Sequence, residues 1–514
     1  MPVDSSAPQS TLRTSPTSTA QTLVNPASSR FPTPSPQDSS ANNDVTNPHQ
    51  TVPHSAVEEW MESHPVFASK ARGIRLRALR FTASWFSVTM GTGIVNTLLF
   101  DLPFTSTHAA FRALGAVFLV FDMVLFLSFT LLTITRYILY PRIFGAMIRH
   151  ETHSLFLGCI PMGFVTIISG IASTGHEYGL NTLDAALVLY WISTALSILT
   201  AFGVPYFMFT QQAHAAERMT AAWLLPIVPL ITQAAVGSTL CKLLLSTSPA
   251  RLSYCLTLLI ASYLQAGIGL LLACAIIVMY LQRLVLHHLP PREVIVSSWL
   301  PVGPIGQGGF ALIELGRVAV RLFPLITTDS HTPELQFLGP AMLGAAVVLG
   351  LLFWGLGIWF AFLAIACIVR QHAAVQKTEE GRLALFNMGY WAFTFPLGSL
   401  TLLTFSLATV FDSIFFKVCA SIFTFSVLLL WVLVFIPTCL GFFRGTLFAA
   451  PCLQSLPKEY VERMRPGSGA QSRAPSRERE RRRSTEKGSE REVEGTDRQL
   501  SREAREVLSE EGLR

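Results

Sequence analysis

The chain has 514 residues, 51% of them hydrophobic and only 14% charged, with a formal net charge of +6. A soluble protein of this size carries about a quarter charged residues. The composition, with a mean hydropathy of +0.46, excludes that class and predicts an all-α polytopic membrane protein.

Residues 1–75 are rich in Ser, Thr, Pro, Asn and Gln, as in "SSAPQSTLRTSPTSTAQ". Such a segment cannot bury enough apolar surface to fold, so it reads as a disordered cytoplasmic tail. It holds no apolar core of signal-peptide length. Residues 76–445 read as a ten-span transmembrane domain. Ten apolar runs reach the roughly 20 residues a bilayer requires: near 81–100, 113–135, 154–174, 183–209, 222–245, 254–282, 298–323, 338–369, 384–410 and 414–440. Residues 446–514 form a second disordered, charged tail. Its run "SRERERRRSTEKGSEREVEG" alternates acids with bases, which argues against a nucleic-acid partner. Ser484, after three arginines in that tail, is a candidate phosphosite.

Lys and Arg crowd one set of loops. Lys70, Arg72, Arg75, Arg77 and Arg80 precede span one; Arg136, Arg142 and Arg149 follow span two; Arg370, Lys377 and Arg382 follow span eight. The opposite loops are poorer. The positive-inside rule then puts both termini in the cytoplasm. The eight cysteines form no C-x-x-C pair and mostly lie in spans, which reads as small buried hydrophobes rather than disulfides or a zinc site.

Helix breakers mark the odd spans. Span one carries Gly91 and Gly93, span three Pro161, span five Pro226 and Pro229, span seven Pro304 with Gly306 and Gly308, and span nine Pro396. The even spans are plainer, with Pro205 as a partial exception. The intervals from Gly91 through Pro161, Pro229 and Pro304 to Pro396 are roughly 70, 70, 75 and 90 residues, a repeat of helical hairpins. The expected architecture is five hairpins in a pseudo-five-fold arrangement around a central pore lined by the broken odd helices. Backbone interrupted at membrane depth is tolerated where it lines protein or a water-filled path.

Charged residues inside spans are few. Glu314 and Arg317 share a helix face, about 24 Å along span seven, with Lys242 at similar height on span five and Arg321 one turn further out. They read either as an outer vestibule that attracts anions or as side chains snorkelling to the interface. Asp122 is a lone acid inside span two, a candidate for proton coupling or a structural acid. Phe86, Phe164 and Phe310 near the breakers read as ordinary packing. The histidines cluster in loops (His150, His153, His287, His288). No catalytic cluster, metal site or cofactor site is expected, and an enzyme is disfavoured.

The runs "FTASWFSVTMGTGIVNTLLFDLP" (81–103), "LPVGPIGQGGFALIELG" (300–316) and "FNMGYWAFTFPLGSLTL" (386–402) resemble the tellurite-resistance/dicarboxylate transporter family, which includes the plant slow anion channels and the fungal malate and sulfite transporters. The resemblance covers roughly 80–445. The first two runs are most similar to the fungal sulfite efflux pumps. The resemblance implies ten helices around a pore, often in a homotrimer, no cofactor, and a small anion substrate. Sulfite or bisulfite leaving across the plasma membrane is the expected activity, with malate the alternative. It also implies a gate: a phenylalanine of span nine plugs the pore, and the matching residue is Phe395, held by Pro396.

Overall fold

The computed structural model describes residues 74–102, 109–179, 181–327, 334–375, 386–448 and 450. The main helices are α1 (Phe86–Phe100), α2 (Ala109–Leu139), α3 (Cys159–Glu177), α4 (Leu183–Gln211), α5 (Val228–Thr247), α6 (Leu252–His287), α7 (Val302–Thr327), α8 (Leu335–Val375), α9 (Thr394–Phe411) and α10 (Ile414–Arg444). Among the described residues there is no strand. Among the described residues, eight helices are long and apolar enough to cross a membrane. α1 and α7 fall outside that set: α1 has 15 residues, and α7 carries Glu314, Arg317 and Arg321.

Burial sorts the helices by parity. In their most apolar stretches α3, α5 and α9 are 72%, 78% and 83% buried, against 17%, 22% and 22% for α2, α8 and α10. Apolar side chains left bare on the latter, such as Val117, Phe337, Phe362 and Phe443, suit a hydrocarbon surround rather than water. Each odd helix packs on the even helix that follows it, and odd helices also meet one another: α1 with α3, α3 with α5, α5 with α7, α7 with α9, and α9 with α1. Buried polar side chains fasten these contacts. Trp431 of α10 donates to Thr92 of α1 at 3.0 Å, Trp354 of α8 to Thr404 of α9 at 3.0 Å, and Gln233 of α5 to the Tyr190 carbonyl of α4 at 2.7 Å. In an apolar surround such bonds fix which helix faces meet.

The breakers do not cut spans midway. A 3₁₀ segment precedes every odd helix: Ala83–Trp85, Leu155–Gly158, Ala221–Leu224, Arg292–Trp299 and Met388–Phe393. The prolines then occupy the first α-helical turn. Pro161, Pro304 and Pro396 are third residues of α3, α7 and α9, and Pro229 is the second of α5. Pro226 lies in the turn ahead of α5. The first four N–H groups of a helix have no intrahelical acceptor, so a proline there forfeits nothing.

The glycines correct the expectation further. α1 runs unbroken through Gly91 and Gly93, and α7 through Gly306 and Gly308. They are contact points. A Cβ on Gly91 would lie 2.6 Å from Trp391 Cε3, and one on Gly306 would lie 2.5 Å from the Leu400 backbone nitrogen. The even helices also carry prolines inside continuous helix, at Pro205, Pro340 and Pro437.

Candidate functional site: a cavity over Phe395

A cavity of about 330 Å³ is lined from all five odd helices and from none of the even ones. α1 contributes Thr97 and Phe100, α3 Thr166 and Ser169, α5 Thr232 and Lys242, α7 Gln307 and Glu314, and α9 Phe395 and Ser406. In α1 every residue is buried except Thr97 and Phe100, which line this space together with Ile94.

The lining changes character along the helices. The charged groups are Asp101, Lys242, Glu314 and Arg317: Asp101 just past the end of α1, Lys242 in the C-terminal part of α5, and Glu314 and Arg317 midway along α7. Gln307 and Thr232 lie seven and ten residues earlier than Glu314 and Lys242, about 10 and 15 Å deeper at helical rise. The rest of the lining includes Ile94, Thr166, Thr232, Gln307 and Phe395, with no charge among them. Phe395, the second residue of α9, is 3% exposed. Pro396 beside it faces α7, where a Cβ on Gly303 would meet its ring at 3.6 Å.

The predicted vestibule residues are partly brought together. Glu314 is paired with Lys242, and Arg317 approaches its other oxygen at 3.3 Å. Ser406 of α9 also donates to Glu314, so one buried carboxylate joins three odd helices. Arg321 is exposed and does not line the cavity. Asp101 stands just beyond the last turn of α1. Water reaches it, but protein crowds it, and that desolvation pushes its carboxyl up to about 6; Lys242 opposes the rise and Glu314 adds to it.

None of the predicted helix breakers lines the cavity. Asp122 on α2 lies outside it, fully buried, with neither carboxylate oxygen hydrogen-bonded. It faces the gap that Gly93 leaves, where a Cβ would stand 2.6 Å from its Oδ2. Phe86 and Phe164 pack on Phe126 of α2, whereas Phe310 lines the cavity. Ser484 lies outside the described residues. Sequence reasoning passed over Asp101, Ser406 and Gln307. The signal for Gln307 was its position as a lone polar side chain in "GPIGQGG".

Comparison with known proteins fits this geometry. The family profile "SLAC1: Voltage-dependent anion channel" matches residues 80–439. The sulfite efflux pump SSU1 of Arthroderma benhamiae is 38% identical over 360 residues, 69% of this chain and 89% of its own length. The sulfite efflux pump SSU1 of Saccharomyces cerevisiae is 23% identical over 362 residues, 63% of this chain and 78% of its own. The malic acid transport protein of Schizosaccharomyces pombe is 24% identical over 358 residues, 70% and 77% of the respective chains. With that extent of match, this multi-pass membrane chain belongs to the SLAC1 family of voltage-dependent anion channels and is an anion transporter of that family.

Proposed function

We propose that the chain exports sulfite or bisulfite from the cytosol across the plasma membrane. The observation that carries this reading is the 38% identity over 360 residues with a sulfite efflux pump. In this reading α1 and α7 also cross the bilayer, giving ten spans as five hairpins with both termini inside. The closed sequence of contacts among odd helices and the cavity lined from all five of them support a pseudo-five-fold pore. The flanking segments 1–75 and 446–514 take no part in the anion path, although Phe448 packs on Trp85 with ring centroids 5.2 Å apart, and three chains assemble with one pore each.

The anion passes Phe395 and leaves through the outer cavity. Phe395 is the gate, and Pro396 sets it at the cavity floor by starting α9 there. A ring in a narrow path blocks by volume and by keeping the constriction dry. Lys242 and Arg317 hold anions at the mouth, and Glu314 keeps the two cations in place. Family membership among anion transporters and channels speaks for transport rather than catalysis.

The test is sulfite tolerance of a cell lacking its own exporter. Expression of this chain is expected to raise tolerance and lower intracellular sulfite. Unchanged tolerance with increased malate uptake would replace the reading with a dicarboxylate carrier.

A further inference from the structure

Gln307 is a buried polar residue with no protein partner. It is 4% exposed and lines the same cavity as Phe395, about one helical turn further along α7 than Gly303, which faces Pro396. Its Oε1 is sealed from solvent without a hydrogen bond. Its amide nitrogen is not sealed in that way, and among the described residues no hydrogen bond to the side chain exists. The sealed Oε1 is an acceptor, which an anion does not satisfy; the group offered to the cavity is the open Nε2, two N–H donors without a protein acceptor among the described residues. Its placement is also closely held. A Cβ on Gly306 would meet the Leu400 backbone at 2.5 Å, and one on Gly309 would meet Leu403 at 2.8 Å. The flanking glycines thus seat α7 tightly on α9 and set Gln307 level with Leu400–Leu403, the turn above the one that carries Phe395.

We infer that the Gln307 amide is the anion-coordinating donor just above the constriction, and that the species it passes is a small monovalent oxyanion. This deepens the sulfite reading, on which its choice of bisulfite rests. Three further uncharged donors line the space above: Thr97 on α1, Ser169 on α3 and Thr239 on α5. Their hydroxyls have no protein partner among the described residues. An anion moving between mouth and floor meets donors without meeting a fixed cation. With Asp101 ionised, the mouth charges are two of each sign and supply no net positive potential to a multiply charged ion.

Charge state then decides passage. The solvation lost on entering a poorly hydrated site grows with the square of the charge, so a dianion loses about four times what a monoanion does. Neutral donors replace part of the shell of a monoanion and too little of a dianion's. Bisulfite fits this site; sulfite dianion, sulfate and dicarboxylate dianions do not.

The experiment measures anion flux through the full chain in vesicles, normalised to inserted protein. Probes are nitrate as an obligate monoanion, sulfate as a dianion, and the sulfite couple at acidic pH, where bisulfite dominates. Wild type is expected to pass nitrate and bisulfite far faster than sulfate. Gln307→Leu is expected to lower both monoanion fluxes about tenfold or more, the worth of one charge-assisted hydrogen bond. Gln307→Glu, of the same shape, is expected to abolish them. If Gln307→Leu does not insert, Gln307→Asn, which keeps the amide but withdraws it, must give intermediate flux. Wild-type flux in normally inserted Gln307→Leu, or sulfate passing as readily as nitrate, overturns the inference. Bisulfite flux that ignores Gln307 leaves the sulfite reading standing and removes this one; Gln307-dependent nitrate flux without bisulfite flux does the reverse.

Discussion

Lys242 on α5 pairs with Glu314 on α7 at the mouth of the cavity, and the acid is by far the more buried partner, its side chain 3% exposed against 35%. Removing one side is therefore not equivalent to removing the other. Glu314→Ala strands Lys242 and Arg317 and leaves Ser406 without its acceptor; by analogy with other buried pairs it costs about 3 kcal/mol. Lys242→Met leaves Glu314 with Arg317 and Ser406 and costs about 1 kcal/mol, the scale of a solvent-reached pair. Thermal unfolding of detergent-solubilised protein checks the order. Equal losses would contradict it.

Two glycines of α7 make a second contrast. A Cβ on Gly303 would stand 3.6 Å from the Pro396 ring, an ordinary contact, whereas one on Gly306 would stand 2.5 Å from the Leu400 nitrogen and 2.7 Å from its Cα. Backbone cannot step aside as a side-chain end can. Gly303→Ala is expected to be neutral in unfolding temperature. Gly306→Ala is expected to cost about 1–3 kcal/mol from overpacking and to reduce abundance. The reverse order would mean that α7 does not sit on α9 at this register.

Much of the architecture was legible in the apolar runs. The expected spans 183–209 and 414–440 correspond to Leu183–Gln211 and Ile414–Arg444, because hydropathy falls where these helices end. The position of Pro396 was legible and its local structure was not. Apolar residues fill both the 3₁₀ segment Met388–Phe393 and the α-helix after it, so hydropathy shows no seam. Lys242, Glu314 and Arg317 could be matched by height along their helices. Ser406 could not, because its meeting with Glu314 depends on how α9 is rotated, which a single sequence does not display. Gly91 and Gly93 looked like breaks because glycine serves both as breaker and as close-approach residue; only the neighbours Trp391 and Asp122 decide which.

Asp101 gives the site a pH response. Its carboxyl is pushed up to about 6 by desolvation, and it shares the mouth with Lys242, Glu314 and Arg317. Above that pH it is charged and cancels one cation; below, it is neutral and the mouth gains one net positive charge. Anion flux is therefore expected to rise severalfold as external pH falls through about 6. Asp101→Asn is expected to show the higher flux at neutral pH and to lose the step. A step of unchanged size and position in Asp101→Asn would assign it elsewhere.

Asp122 separates two roles. Both of its oxygens lack partners in a fully buried site, where an unpaired ionised carboxylate would cost several kcal/mol. A structural acid carried neutral is matched in shape and charge by the amide. Asp122→Asn is then expected to keep abundance and flux near wild type. Normal abundance with loss of proton-coupled flux would instead make Asp122 the coupling residue.

The central claim is that Phe395 closes the anion path beneath the cavity, and anion current from Phe395→Ala per inserted protein tests it most directly. The ring is 3% exposed, so its removal carries part of the about 3–5 kcal/mol that a buried phenylalanine commands, and lower yield alone is uninformative. The account predicts a larger current per molecule, with some loss of selectivity among anions. An unchanged or smaller current per molecule would contradict it and leave Phe395 a packing residue.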